Sequence, residues 1–183
     1  AQSGILKPMS HWFVEDFKKL QARQPRIALV SSDSENSAYT NYAYKNKNCY
    51  LVFGGHYNED TLYSQYPYKD TSCIDCDRVE RSELCYECIA GSNLYNGNYL
   101  YNCFSSSDCE FGFDLINCRH CFLSAGLRNV EYHIRNKAVS KETYGKEVEV
   151  LKKKYSVAEL LEETEKIRLT IPNALWLQKN CEN

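Results

Sequence analysis

The sequence predicts a mainly β fold: an irregular β-solenoid of short repeats, capped by an N-terminal helix and a C-terminal helical hairpin. Three observations carry this reading. Nine of the ten cysteines and twelve of the fifteen tyrosines fall between Asn36 and Leu127. Within that stretch a short phrase recurs, as in Asn48-Cys-Tyr50, Thr71-Ser-Cys-Ile74, Tyr101-Asn-Cys-Phe104 and Ile116-Asn-Cys118: polar residues, then a small or aliphatic residue, often followed by an aromatic or apolar one. The third position of the phrase falls at Ala38, Cys49, Leu62, Cys73, Leu84, Leu94, Cys103, Cys109 and Cys118, in steps of 6 to 13 residues. Such a unit holds one strand and a turn but not a helical hairpin, so two phrases, roughly 22 residues, are expected to make one coil. Inward positions would then stack into ladders of Cys, Leu and Tyr, with Asn and Ser in the turns. The drifting step predicts a distorted stack, most irregular between Cys103 and Cys118.

The chain divides into residues 1–35 (helix and entry strand), 36–135 (repeats) and 136–183 (hairpin and tail). Residues 1–9 carry little pattern. Ser10 is placed to cap a helix running to about Arg23, with Phe13, Phe17 and Leu20 on one face. Pro25 ends it, and Arg26-Ile-Ala-Leu-Val30 reads as a strand followed by a polar turn. Asn129 to Arg135 alternates as one more strand. Ser140 caps a helix to about Lys154, and Ser156-Val-Ala-Glu159 is a capping box opening a second helix, so an αα-hairpin is expected. Pro172 stops continuation, and Asn173 to Asn183 has no element of its own.

At 183 residues the chain can bury a core as one domain with appendages. No window approaches the ~18 uninterrupted apolar residues of a membrane span. Beginning at Ala1 with no basic and apolar leader, the sequence reads as a processed product or a segment of something longer. Its thiols fit a reducing cytoplasm, or a particle assembled there. The repeat region carries six Lys/Arg against eleven Asp/Glu. Nucleic-acid affinity needs clustered cations, so that partner is excluded despite the aromatic content.

The cysteines admit three readings: core thiols, metal ligands or disulfides. Cys73-x2-Cys76-x8-Cys85-x2-Cys88 has the spacing of a four-thiolate zinc site. Against it, Cys73 coincides with the repeated inward position, where Ala38, Leu62, Leu84 and Leu94 stand elsewhere. Leucine does not replace a ligand, whereas it does replace a core residue. Cys118-Arg-His-Cys121 is a second pair, without the strand and helix of a redox motif. Paired carboxylates for sugar chemistry are available among Asp75, Asp77, Glu80, Glu83 and Glu87, though scattered turn positions are their simpler setting. No phosphate loop or nucleophile elbow is present. Tyr42, Tyr44, Tyr57, Tyr66 and Tyr68 are candidates for exposed binding stripes, because tyrosine joins apolar area to a polar tip.

Taken in order, Arg26-Ile-Ala-Leu, Asn48-Cys-Tyr, Leu84-Cys-Tyr-Glu-Cys88, Asn117-Cys-Arg-His-Cys-Phe122, Gly126-Leu-Arg-Asn129 and Tyr132-His-Ile-Arg-Asn136 resemble a family of uncharacterised Asn/Cys/Tyr-rich repeat proteins. That family is frequent in uncultivated bacteria and their phages, and the likeness covers about residues 26–155. The resemblance implies a repeat fold and no established activity. Some members carry a CoA-transferase label, which no residue pattern here supports. Many carry a zinc ribbon ahead of the repeats, but no cysteine precedes Cys49 in this chain.

The expected function is that of a non-catalytic structural or protein-interaction scaffold, working with other protein subunits in a large assembly such as a phage particle. The competing classes are a zinc-stabilised adaptor, with Cys73, Cys76, Cys85 and Cys88 as ligands, and a carbohydrate-active enzyme.

Overall fold

A three-residue period builds the molecule. In the computed structural model, which describes residues 11–25 and 27–172, every third residue from Asp33 to Arg135 has a φ between +44° and +69°. The residue after each of these points inward, and the next pairs in parallel with the residue twelve positions on, as in Lys47 with Glu59 and Tyr50 with Leu62. Twelve residues therefore make one square coil with four three-residue sides. About nine such turns form the solenoid.

This geometry explains the repeated phrase. A left-handed backbone costs an L-residue about 1–2 kcal/mol, least for Asn and Asp, whose side chains bond locally. Asn48, Asn102, Asn117 and Asp108 occupy those corners, each directly before an inward cysteine. The strain is offset by ladder hydrogen bonds in both directions: the Lys47 N–H donates to the Asn58 carbonyl at 2.8 Å, and the Asn48 N–H to the Glu35 carbonyl at 3.0 Å.

Many inward N–H groups are bonded by side chains instead. The amides of Asn58, Asp70 and Ser82 donate to Oδ1 of Asn46, Asn58 and Asp70, each one coil earlier, at 2.8 to 3.0 Å. Ser34, Ser37, Ser64, Ser82, Ser106 and Ser124 do the same through Oγ. A buried polar column thus completes the main chain's hydrogen bonding.

The lumen is narrow. From Ser34 to Val130 its occupants are Cys, Ser, Thr, Asn, Asp, Val, Leu, Ala, Gly and Pro, while the described tyrosines of the repeats all face outward. Leucine fits only where a neighbour gives way: a Cβ at Gly91, Gly97 or Gly112 would meet Cδ1 of Leu94, Leu100 or Leu115 at 2.7 Å.

Several expectations change. One phrase spans a whole coil rather than half of one. Cys49, Cys73, Leu94, Cys103, Cys109 and Cys118 are inward, but Ala38, Leu62 and Leu84 are not, and Leu84 is 45% exposed. The truly inward residues differ by multiples of three, so the apparent drift disappears, and the coils between Cys103 and Cys118 stay in register. No strand forms over Ile27–Val30, which are exposed. Arg26 lies outside the described residues, and β1 is Ser31–Ser32, pairing with β2, Ala43–Tyr44.

Longer strands follow in the C-terminal half: β3 (Asp77–Glu80), β4 (Ile89–Ser92), β5 (Asn98–Tyr101), β6 (Glu110–Phe113), β7 (Arg119–Ala125) and β8 (Glu131–Ile134). β9 (Lys137–Ala138) turns back antiparallel on β8. This short hairpin covers an edge that would otherwise offer free backbone groups.

Helix α1 is His11–Arg23. It forms no packed interface with any other described helix or strand. Helices α2 (Lys141–Lys154) and α3 (Val157–Arg168) carry the expected Ser140 cap and Ser156–Glu159 capping box. They lie along the flank of the solenoid, against β6, β7 and β8. There Leu151 and Leu160 bury Phe111, Phe122, Leu123 and Ile134 in a second core. Lys152 to Glu110 (2.6 Å) and the Arg135–Glu163 pair tie the rim. The tail from Asn173 lies outside the described residues.

Candidate interaction surface

The four sides are set by the coil Asn46–Tyr57: Lys47 and Asn48 on the first, Tyr50 and Leu51 on the second, Phe53 and Gly54 on the third, His56 and Tyr57 on the fourth. Inward residues stack in four columns between them.

Cys73 and Cys85 are neighbours in one column and Cys76 and Cys88 in the next, so the four thiols form a two-by-two square inside adjacent coils. Stacked members sit one strand spacing apart, about 4.8 Å. Each Sγ also donates to a main-chain carbonyl, for example Cys73 to Ser82 and Cys88 to Gly97, at 3.5 and 3.2 Å. Hydrogen bonds run around the square. Those to Cys76 hold the Cys73 and Cys88 thiols well above the usual range, and burial adds to it. Cys76, accepting from both, is shifted down against the effect of burial. All nine described cysteines are free and buried. Among the described residues no group of three or more His, Cys, Asp or Glu side chains is placed to hold a metal ion.

Cys118 and Cys121 are lumen residues too. His120 points away from them and stacks on Tyr132 at 4.7 Å. The acids considered for sugar chemistry are spread around the coil. Asp75 and Glu87 stand on the second side, Asp77 on the third, Glu80 on the fourth and Glu83 on the first. Asp77 and Glu80 are further engaged by Arg78 and Arg81.

The tyrosines do converge. Tyr42 and Tyr66 project from the third side at 70% and 56% exposure. Tyr66 lies over Gly54, where a Cβ would meet its ring at 2.4 Å, which is why that corner carries no side chain. Tyr44, Tyr57 and Tyr68 form an edge-to-face ladder on the fourth side, with centroids 5.9 and 6.1 Å apart. Lys45 and Lys69 sit over these rings at 5.2 to 5.7 Å. Tyr42, Tyr44 and Tyr66, together with Phe53, His56 and Val30, border a groove of about 640 Å³ at the corner between the two sides, and Tyr57 and Tyr68 continue the ladder beyond it. Aromatic rings with polar tips and flanking cations suit a protein interface.

Two features escaped sequence reasoning. One is a further aromatic ladder on the second side, Tyr39–Tyr50–Tyr63, with centroids 5.5 and 5.6 Å apart. The other is Asp70, fully buried in the polar column, with Oδ2 unpartnered. Reading the sequence in threes would have placed Asp70 in the lumen, and the ladder also needs the twelve-residue coil.

No family model matches the chain, and no curated protein is similar to it. Among solved structures it is similar to a UDP-N-acetylglucosamine acyltransferase from Campylobacter jejuni, at 8% identity and TM-score 0.30 over 79% of this chain and 91% of that one. It is also similar to the UDP-N-acetylglucosamine O-acyltransferase of Moraxella catarrhalis RH4, at 10% identity and TM-score 0.27 over 78% and 90%.

Proposed function

We propose that this chain is a non-catalytic scaffold that holds other protein subunits on the aromatic sides of its N-terminal coils, as a component of a large assembly such as a phage particle. The observation that carries the reading is the outward tyrosine cluster of the third and fourth sides, in which Tyr42, Tyr44 and Tyr66 border the groove and Tyr57 and Tyr68 extend the ladder from Tyr44. A solenoid stabilised coil on coil presents such a surface without rearranging.

The test is Tyr42→Asp with Tyr66→Asp. Both positions have left-handed backbone, which aspartate accepts, so the coil should persist by circular dichroism. Proteins recovered by the wild-type chain from its source should be lost by the variant. Equal recovery by both chains, or none by the wild type, would sink the proposal.

A further inference from the structure

The two ends of the solenoid are finished differently. At the C-terminal end β9 folds back on β8, pairing Lys137 with Ile134 and Ala138 with His133, so a strand closes the last coil where its first side meets its second. At the N-terminal end the entering chain reaches only the third side, where the Val30 N–H donates to Asn41 Oδ1 and the Val30 carbonyl accepts from Ala43. The first and second sides of the opening coil, Ser34 to Tyr39, keep an open edge. One coil later the Asn48 N–H donates back to the Glu35 carbonyl, and the Asn46 carbonyl accepts from the Glu35 N–H. The equivalent groups of the opening coil are the N–H of Asn36 and Tyr39 and the carbonyls of Ser34 and Ser37, and they have no partner among the described residues. The gap reaches the lumen: inward residues from Thr40 to Ser124 are buried, whereas Ser34 and Ser37 are half-buried.

Three side-chain ladders start on this edge, each one member short. On the first side Lys47 is committed to Glu59 at 2.7 Å, so Glu35 heads the column without an ion pair among the described residues. Asp33, exposed at the preceding corner, adds charge of the same sign. Asn36 Nδ2 donates to Asn48 Oδ1 at 2.9 Å and Asn48 Nδ2 to Asp60 Oδ1 at 3.0 Å. That chain of bonds runs one way, and Asn36 Oδ1 at its head receives no described donor. Tyr39 meets Tyr50 edge to face, and Tyr50 meets Tyr63. Tyr39 is 62% exposed, with a described ring on one side only. In the register of the coils, a strand laid before Glu35 would complete all three ladders with a cation over Glu35, an amide over Asn36 and an aromatic ring over Ala38. Lys47-Asn48-Cys49-Tyr50 has this order and already stacks on Glu35 to Ala38 from the other side.

We propose that this edge takes an extended segment of another protein subunit, of the pattern Lys-Asn-small-Tyr, as an added parallel strand. The N–H groups of its Lys and Tyr donate to the Ser34 and Ser37 carbonyls, and their carbonyls accept from Asn36 and Tyr39. Main-chain bonds supply the affinity, and the three ladders set the register. The site lies apart from the tyrosine cluster of the third and fourth sides and does not depend on it.

The test is a titration of the isotope-labelled full chain with the peptide acetyl-Asn-Lys-Asn-Ser-Tyr-Leu-amide, read by amide NMR. The signals of Asn36 and Tyr39 should shift most and saturate at millimolar peptide or below. The same peptide N-methylated at Lys and Tyr should leave them unmoved, because it cannot donate to Ser34 and Ser37. Glu35→Lys should weaken binding of the first peptide by about two- to fivefold, and a peptide with Glu in place of its Lys should recover that loss. Unmoved Asn36 and Tyr39 signals, equal binding of the N-methylated peptide, or a Glu35→Lys variant with no effect or no recovery overturns the proposal. So do shifts confined to Tyr42, Tyr44 and Tyr66, which would seat the peptide in the groove instead.

Discussion

Asp70 Oδ1 accepts the N–H of Ser82 one coil later at 2.8 Å, while its Oδ2 has no partner. Asn46 and Asn58, above it in the same column, bond in the same way but use their second atom too: each Nδ2 donates to a carbonyl nine residues on, at 3.0 and 3.2 Å. Asp70 is the member of this ladder that offers a carboxyl where an amide fits. Burial pushes its pKa up to about 7.

Stability therefore depends on pH in a stated direction. The unfolded chain releases this proton near about pH 4, whereas the folded chain keeps it to about pH 7. Between the two the folded state binds more protons, so stability falls as pH rises and levels off above about 7. Asp70→Asn keeps the acceptor, adds a donor and removes the titration. Urea melts should show the variant more stable than wild type at pH 8, by roughly 2–4 kcal/mol, with the gap closing toward pH 4. An unchanged gap across that range would contradict the assignment.

Gly112 lies against Leu115 and Leu100 in the lumen, where an added Cβ would meet their methyl carbons at 2.7 and 2.9 Å. Gly112→Ala should cost about 1–3 kcal/mol by overpacking. Adding Leu115→Val should return part of that loss in thermal melts. Additive losses in the double variant would show that the clash lies elsewhere.

The hairpin should come off before the solenoid unfolds. Leu160 is 2% exposed and packs on the second side with Leu151. Leu160→Ala should cost roughly 2–4 kcal/mol at this contact. Hydrogen exchange should then quicken in α2 and α3, while amides around Cys73 to Cys88 keep their protection. Uniform loss of protection would instead make helices and coils one cooperative unit.

Nine buried thiols should react with a colourless disulfide reagent only after denaturation. Desolvation holds Cys103 up at about 12, and the hydrogen bond to Cys109 together with burial does the same for Cys121. A buried thiol held protonated is a poor nucleophile, and Cys76, which is shifted down, is kept from reagent by its burial. Chelator should leave the native circular dichroism spectrum unchanged. Retention of one zinc per chain, with four thiols protected from reagent in denaturant, would transfer Cys73, Cys76, Cys85 and Cys88 to the metal reading.

The solenoid was legible because its phrase alternates corner and core chemistry: Asn or Asp, then a small inward residue, then an outward apolar one. The coil size was not. Tracking cysteine and leucine together mixed two kinds of position, since Leu84 stands at a corner and Leu94 in the lumen. Both are apolar, and only the count in threes separates them. The helices were readable to within a residue at Ser140 and Ser156, whose caps are local. Where they dock was not, because lateral packing on Phe111 and Phe122 joins residues tens of positions apart. Tyr42 and Tyr66 were found by composition, whereas the Tyr39–Tyr50–Tyr63 ladder requires the twelve-residue register.

Two clocks run along this chain, one ticking at three residues and one at twelve. Loss of a single residue puts the first out of phase, turning every later lumen side chain to the surface and bringing an outward one into its place. Loss of three keeps inside and outside but rotates everything downstream by a quarter turn, carrying the helical hairpin off the side that bears Tyr39 and Tyr50. Loss of twelve removes one storey and leaves the plan intact. Length variation in such a protein should come in dozens, and any other count marks a change in which faces look the same way.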